Sequence, residues 1–328
     1  MRRSKRQTAN TKRQTLNGYA FDVVSVALNP AIDHTITVSN FTAGAVNRVE
    51  QERLTPGGKG VNVAAALADY GCQVALTGFL GRDNDALFQT LFAQKKIQDR
   101  FVRIDGRTRV GIKIADPVQQ QTTDINFPGL APTHADLDAV QAELAALNSK
   151  WFVVTGSLPP GVETTVYRDI VLGLKKRGCN VVLDTSGEAL SNAINAAPNI
   201  IKPNNFELAV LAGRPFQTEA ETIDMAKQLL AKGIELVAVS LGKDGACFVT
   251  NESVVIARPT EVTVKSTVGA GDAMVAGIVA AQLKQLSLAA CARLATAFSL
   301  DKLTRIESGI SPASIERFMD KVTITQIT

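Results

Sequence analysis

Seven consecutive residues, Ser266-Thr267-Val268-Gly269-Ala270-Gly271-Asp272, lead into a long apolar segment. Small residues there let a ligand approach the backbone, and unpaired N–H groups at a helix start favour an anion. A carboxylate in the same place is at odds with a bound anion unless it has chemistry to do. Beside a phosphate, Asp272 can take a proton from an attacking hydroxyl. The alternative is that it only steadies the helix start through the dipole. A second glycine-rich helix start, Gly57-Gly58-Lys59-Gly60-Val61-Asn62, lacks the G-x-x-x-x-G-K-S/T pattern of a Walker loop. Taken alone it is either a ligand cradle or a tight turn. Two such starts in one chain suit two anionic groups: a phosphoryl donor, and a phosphorylated or polyhydroxyl acceptor.

Four further segments offer polar groups. Lys202-Pro203-Asn204-x-x-Glu207 follows a buried strand, which places it where α/β ligands bind. Asn204 and Glu207 can hold a hydrated Mg²⁺ through oxygen, or can form a capping box. Asp33 follows the first strand in Asn29-Pro30-Ala31-Ile32-Asp33, where a lone acid is usually a solvated loop residue. Arg107-Thr108-Arg109 begins a strand, and such arginines either grip a phosphate or form a solvated edge. Ser157 sits at the tip of Thr155-Gly156-Ser157-Leu158-Pro159-Pro160-Gly161, with no nearby histidine to complete a triad. His34 reads as a structural or surface residue, and the four cysteines as small core residues.

These residues must be positioned by alternating elements. A β-branched run at 21–28 is followed by two partly polar strands within 35–54, joined at Thr42-Ala43-Gly44. A helix at 61–70 closes at Gly71, then come a strand at 74–80, a helix at 84–96 and strands at 101–104, 109–115 and 123–127. The second half repeats one rhythm: helices at 133–148, 162–177, 187–196, 205–212 and 218–232 separate strands at 151–155, 180–184, 199–202 and 235–240. A hairpin at 246–250 and 254–257 precedes two apolar helices at 270–284 and 287–302. Short continuous apolar strands alternating with helices predict an α/β fold, a mostly parallel sheet covered on both faces. No linker divides the chain, so 21–328 reads as one domain. The polar strands within 35–54 and 107–128 form a small β lid.

Composition excludes several classes. The chain has 328 residues, 45% of them hydrophobic and 20% charged, which is globular rather than disordered. The longest apolar stretch is about half the ~20 residues a spanning helix needs, so no membrane role is expected. Four cysteines without a C-x-x-C pair and two histidines argue against a disulfide framework or a His-metal site, and suit a reducing, cytoplasmic setting. The net charge is +4, but six basic residues and no acid fall in residues 1–20, leaving the body at −2. Such a body does not advertise nucleic-acid binding. The stretch 1–20 reads as a basic disordered tail, although its Arg-rich, acid-free make-up also suits a transit peptide.

Taken together, G-A-G-D before a helix, G-G-K-G-V-N and K-P-N-x-x-E resemble the PfkB group of ribokinase-like sugar kinases, over about residues 21–320. The segments N-P-A-x-D, G-R-T-R, T-D-I-N-F-P-G, G-S-L-P-P-G and S-T-V-G-A-G-D-A-M are most similar to the branch that moves the γ-phosphoryl of ATP to O6 of fructose 1-phosphate. Close relatives act on tagatose 6-phosphate or fructose 6-phosphate. A non-catalytic sugar-phosphate sensor is the alternative of another class. The resemblance implies a three-layer ribokinase-like fold with a β lid, and a homodimer paired through the lid. It implies Asp272 as catalytic base, with the Gly269, Ala270 and Gly271 amides stabilising the transferring group. Asp33, Gly57, Gly58 and Asn62 would hold sugar hydroxyls. Lys59 and Arg109 would face the sugar phosphate with Ser157 near it. Lys202, Asn204, Ser240, Gly242, Lys243, Asp244, Gly245 and Thr267 would line the ATP site, and Asn204 and Glu207 would position Mg²⁺. The chain departs from the family in Gly44-Ala45-Val46-Asn47-Arg48, where G-E-x-N-R is common, and at Gly111, where T-R-x-N-x-K has asparagine.

Overall fold

Strands that are apolar on both faces must be covered on both, and alternating helices supply the cover. The computed structural model describes residues 19–305 and 309–327. The expected basic tail therefore lies outside the described residues, Tyr19 and Ala20 apart. In chain order the elements are β1 (Phe21–Ala27), β2 (Ala31–Thr37), β3 (Gln51–Gly57), α1 (Lys59–Asp69), β4 (Val74–Gly81), α2 (Ala86–Lys95), β5 (Gln98–Ile104), β6 (Val110–Asp116) and β7 (Gln121–Asn126). There follow α3 (His134–Ala146), β8 (Ser149–Thr155), α4 (Val166–Lys176), β9 (Asn180–Asp184), α5 (Gly187–Ile194), β10 (Ile200–Ile201), α6 (Asn205–Ala212), α7 (Glu219–Leu230) and β11 (Leu236–Ser240). The chain ends in β12 (Ala246–Val249), β13 (Val254–Pro259), α8 (Ala270–Leu283), α9 (Leu288–Leu303), α10 (Pro312–Met319) and β14 (Val322–Ile327).

Ten strands form the main sheet, in the order β14-β13-β12-β11-β10-β9-β8-β1-β4-β5. The run from β11 to β5 is parallel, and β12, β13 and β14 add an antiparallel edge. Alternate strand residues enter opposite cores. Val23, Leu76, Val153 and Ala238 pack with α1, α8 and α9, while Val24, Ala75, Phe152 and Val239 pack with α3, α4, α5 and α7. That period of two, with both faces buried, is what the continuous apolar runs demand. The second sheet has four strands in the order β3-β2-β6-β7. It is the expected lid, and β7 is exposed along its whole length.

The three-layer α/β architecture matches the expectation from sequence, and several boundaries differ from it. The lid strands occupy 31–37 and 51–57, because β2 begins directly after Pro30 and Pro56 sits at the sheet margin opposite Ile32. β10 has only two residues, since Lys202 and Pro203 leave the ladder. α4 starts at 166 rather than 162. The start of the expected 84–96 helix is taken by a 3-10 turn at Arg82–Asn84. α10 and β14 carry no strong sequence signal. β14 is a short, half-exposed strand recruited by pairing with β13.

α8 is buried nearly all round and crosses α9 closely at Gly277. A Cβ there would lie 2.6 Å from the Ala295 Cα and 3.1 Å from the Phe298 ring. Gly277→Val must push the helices apart, a loss of about 1–3 kcal/mol. The expected result is a Tm several degrees lower by calorimetry; an unchanged Tm would show that α8 and α9 separate freely.

Candidate active site

The carboxyl ends of the parallel strands face one side of the sheet, and the first turns of α1 and α8 meet there. Gly269, the N-cap of α8, has φ 78°, a conformation that favours glycine. Asp272 lies in the first turn of α8 and is 7% exposed. Its Oδ2 accepts a hydrogen bond from the Asn62 Nδ2 at 2.8 Å, which ties α1 to α8. Burial pushes the Asp272 carboxyl up to about 6, with Lys59 opposing, Asp184 adding and the Asn62 donor opposing. A base working near neutral pH needs a value in that region.

A second carboxylate, Asp184, closes β9 and is 1% exposed. Its Oδ1 accepts from the Lys59 Nζ at 3.0 Å and lies 3.5 Å from the Lys202 Nζ. Its Oδ2 has no hydrogen-bond partner among the described residues. Burial alone would raise this carboxyl, but Lys202 and Lys59 outweigh it and hold it below the ordinary range. Burial would likewise lower Lys59, yet Asp184, Asp272 and Glu207 together raise it. Lys202 is 5% exposed and also stands against α8, since a Cβ on Gly271 would lie 3.5 Å from its Nζ. Asp184 belongs to none of the motifs. The available signal is an acid at the carboxyl end of the buried run Val181-Val182-Leu183. Lys59, which the resemblance directs at the sugar phosphate, is here committed to Asp184 and close enough to Asp272 to influence it.

The lid supplies the facing wall. Asp33 sits on β2, with the Lys113 Nζ 3.6 Å from its Oδ1 and 3.4 Å from Asp124. Burial raises the Asp33 carboxyl, against Lys113 and Arg109. Gly57 has to lack a side chain, because a Cβ there would collide with the Asp33 carboxylate. Gly58, at φ 91°, brings the α1 start within 2.9 Å of the Pro30 Cα, measured from where its Cβ would stand. Between lid and α8 lies a cleft of about 360 Å³ bordered by Asp33, Lys113, Asn62, Ser266, Val268 and Lys302.

Arg109 and Ser157 meet elsewhere on the rim. The Arg109 Nε and Nη2 donate to the Asn29 carbonyl at 3.3 and 3.1 Å, and Nη1 to the Phe127 carbonyl at 3.1 Å. The Asn29 Nδ2 donates to the Ser157 Oγ at 3.3 Å. This cluster stands between the ends of β1 and β8, beside the point where the chain changes direction across the sheet.

Asn204 and Glu207 form a capping box. The Asn204 Oδ1 accepts from the Glu207 N–H at 2.7 Å, and the Glu207 Oε2 accepts from the Asn204 N–H at 2.8 Å. Glu207 Oε1 takes no part in it. Ser240 closes β11 and bridges to Asn204. Gly242, Lys243 and Asp244 form a single 3-10 turn. Gly245 follows at φ 94°, where a Cβ would collide with the Ala257 carbonyl. Among the described residues, no hydrogen bond or ion pair joins the side chains of Lys243, Asp244 or Thr267 to the Asp272 cluster. No group of three or more His, Cys, Asp or Glu forms a metal centre among them either.

Comparison with known proteins bears on this geometry. The profile of the pfkB family carbohydrate kinases matches residues 23–312. The chain is 48% identical over 293 residues to a 1-phosphofructokinase of Rhodobacter capsulatus, covering 88% of this chain and 93% of that protein. It is 38% identical over 291 residues to the 1-phosphofructokinase of Escherichia coli K12, covering 88% and 93%. Among solved structures, phosphofructokinase-2 from Escherichia coli in complex with substrates and products superposes with a TM-score of 0.85 at 26% identity, covering 91% of this chain and 98% of that one. A tetrameric inhibited form of the same enzyme gives 0.85 at 25% identity, covering 92% and 98%. The chain belongs to the pfkB family of carbohydrate kinases, phosphotransferases with an alcohol acceptor.

Proposed function

We propose that this chain transfers the γ-phosphoryl group of ATP to O6 of fructose 1-phosphate, giving fructose 1,6-bisphosphate and ADP. The observation that carries the reading is Asp272, buried at the start of α8, held by Asn62 and raised to about 6. Support for the sugar comes from 1-phosphofructokinase relatives 38–48% identical over 88% of the chain.

In this reading the Asp272 carboxylate takes the proton from the acceptor hydroxyl. The new bond forms between that oxygen and the γ-phosphorus, the bond to the β–γ bridging oxygen breaks, and ADP departs. The Gly269, Ala270 and Gly271 amides and the α8 N-terminus stabilise charge on the transferring group. Lys59 and Lys202 add positive charge from the Asp184 side, so Lys59 serves the transferring group. Asn62 holds the base. Asp33 receives sugar hydroxyls, with Gly57 and Gly58 letting the sugar approach. Arg109 and Ser157 face the sugar phosphate. Three of the five guanidinium N–H groups of Arg109 are spent on carbonyls, which leaves two for a phosphate. Lys202, Asn204, Ser240, Gly242, Lys243, Asp244, Gly245 and Thr267 line the nucleotide.

Kinase relatives imply ATP used with a divalent metal, which we take as Mg²⁺. The donor set fits: Asp184 Oδ2 is a buried acceptor without a partner among the described residues, and Glu207 keeps Oε1 outside its capping box. One or two carboxylates with waters and substrate phosphates is the usual Mg²⁺ environment. Bound there, the ion would screen charge on the β- and γ-phosphates.

A homodimer paired through the lid belongs to the same reading. Leu54, Ile125 and Phe127 are about half exposed on the lid strands or beside them, an apolar surface of the kind a partner covers. A cytoplasmic setting fits four free cysteines. No helix among the described residues is long and apolar enough to cross a membrane.

Three measurements test the reading. An ADP-release assay across fructose 1-phosphate, fructose 6-phosphate and tagatose 6-phosphate is expected to give the highest kcat/KM for the first; a higher value for either other sugar would reassign the substrate. Asp272→Asn should cut kcat by at least about 10², and wild-type kcat should fall as pH drops through about 6, where the carboxyl protonates. The same shift sets a stability sign. A carboxyl raised from 3.8 to about 6 on folding lends stability below 3.8 that is lost as pH rises through 6. The charged form therefore costs stability at pH 7.5, and Asp272→Asn should raise Tm there but not at pH 4. Third, Arg109→Ala should raise KM for the sugar phosphate. A change confined to the KM for ATP would move Arg109 out of the phosphate site.

A further inference from the structure

Lys302 occupies the last turn of α9 and belongs to none of the sequence motifs. It is 8% exposed, and lysine is rarely so buried unless paired. Its side chain runs against the cap of α8. A Cβ on Gly269 would lie 3.2 Å from the Lys302 Cε, 3.5 Å from the Asn62 Nδ2 and 3.8 Å from the Asp272 Oδ2. Three polar side chains therefore converge on one point of the glycine loop. Lys302 also borders the lid cleft beside Ser266 and Val268.

The end of α9 is clamped to this loop. The Lys265 and Ser266 amides donate to the Leu303 carbonyl at 2.8 and 3.3 Å, and the Ser299 Oγ donates to the Ala270 carbonyl at 2.9 Å. Lys302 is carried by that clamp, so its stem is placed by backbone contacts. The neighbouring Asp301 is directed elsewhere: its Oδ2 accepts from the Ser311 N–H at 2.9 Å, and it pairs with Arg305. At the other end of the loop the Lys202 Nζ stands by Gly271. The two lysines bracket Gly269, Ala270 and Gly271.

We propose that Lys302 is a further phosphate-binding residue of the transfer site, its ammonium engaging the γ-phosphoryl end of the nucleotide beside Gly269. An ammonium has three donors, so it can serve a phosphate oxygen while keeping a protein partner. The inference rests on reading the Asp272 cluster as the site of phosphoryl transfer.

The test compares wild type, Lys302→Met, Lys302→Gln and Lys302→Arg by steady-state kinetics, and by calorimetric binding of ADP and of the non-hydrolysable β,γ-imido analogue of ATP. Tm is measured alongside. Lys302→Met and Lys302→Gln are expected to weaken the analogue by about tenfold or more and ADP by much less, because ADP lacks the group that Lys302 addresses. KM for the sugar phosphate should stay within about twofold, and Lys302→Arg should recover most of the analogue affinity. If a correctly folded Met or Gln variant binds the analogue as wild type does, or loses ADP and analogue equally, the proposal is overturned. Should wild type itself neither bind the analogue nor turn over any sugar phosphate, the kinase reading fails instead; that outcome is separate, since binding is scored without turnover.

Discussion

A carboxylate buried between two lysines is the constraint around which this site is arranged. Asp184 lies at 1% exposure, where an unpaired charge would cost several kcal/mol. It is tolerable only because Lys59 and Lys202 reach it from α1 and from the end of β10. Holding those two ammonium groups in place fixes the start of α1 relative to the strand ends. Asn62, one turn further along α1, then fixes Asp272 on α8. The Asp272 carboxyl takes its value from this arrangement. Burial raises it, Lys59 pulls it back, and the negative Asp184 raises it again.

The two ends of the cleft are built differently. The Asp272 end rests on buried strand termini and on the close α8–α9 crossing at Gly277, so its groups are held by the core. The Asp33 end rests on a four-stranded sheet whose outer strand, β7, is exposed throughout. Both departures from the family pattern lie on the lid side. At Gly111 the missing side chain is matched by Asn126 across the ladder: a Cβ on Gly111 would lie 3.2 Å from the Asn126 Oδ1 and 3.5 Å from the Asp33 Oδ1. The lid thus keeps a carboxamide next to Asp33, supplied from β7 rather than β6.

Lid and main sheet were separable in the amino-acid order because their burial differs. The runs that became β1, β4, β8, β9 and β11 are apolar on both faces, whereas β2, β3, β6 and β7 are polar on at least one. β14 and α10 were not legible, since a half-exposed strand of six residues gains its identity from the edge of β13 that it pairs with. The short β10 shows the converse, an apolar run cut to two residues by the proline after Lys202.

Local order by itself determined where glycine meets a helix start, where most main-sheet strands lie, and that an acid stands at position 272, because these depend on residue type and near neighbours. It could not decide what each polar group would face. Asn204 and Glu207 could be read as a capping box or as metal holders, and in the fold the box closes with one carboxylate oxygen left outside it. Asp184 and Lys302 sit in stretches that read as an ordinary strand end and an ordinary helix end. Only the tertiary structure brings residues 59, 62, 184, 202, 272 and 302 together around the starts of α1 and α8. Charge interactions there depend on distance and desolvation, and neither is encoded in spacing along the chain.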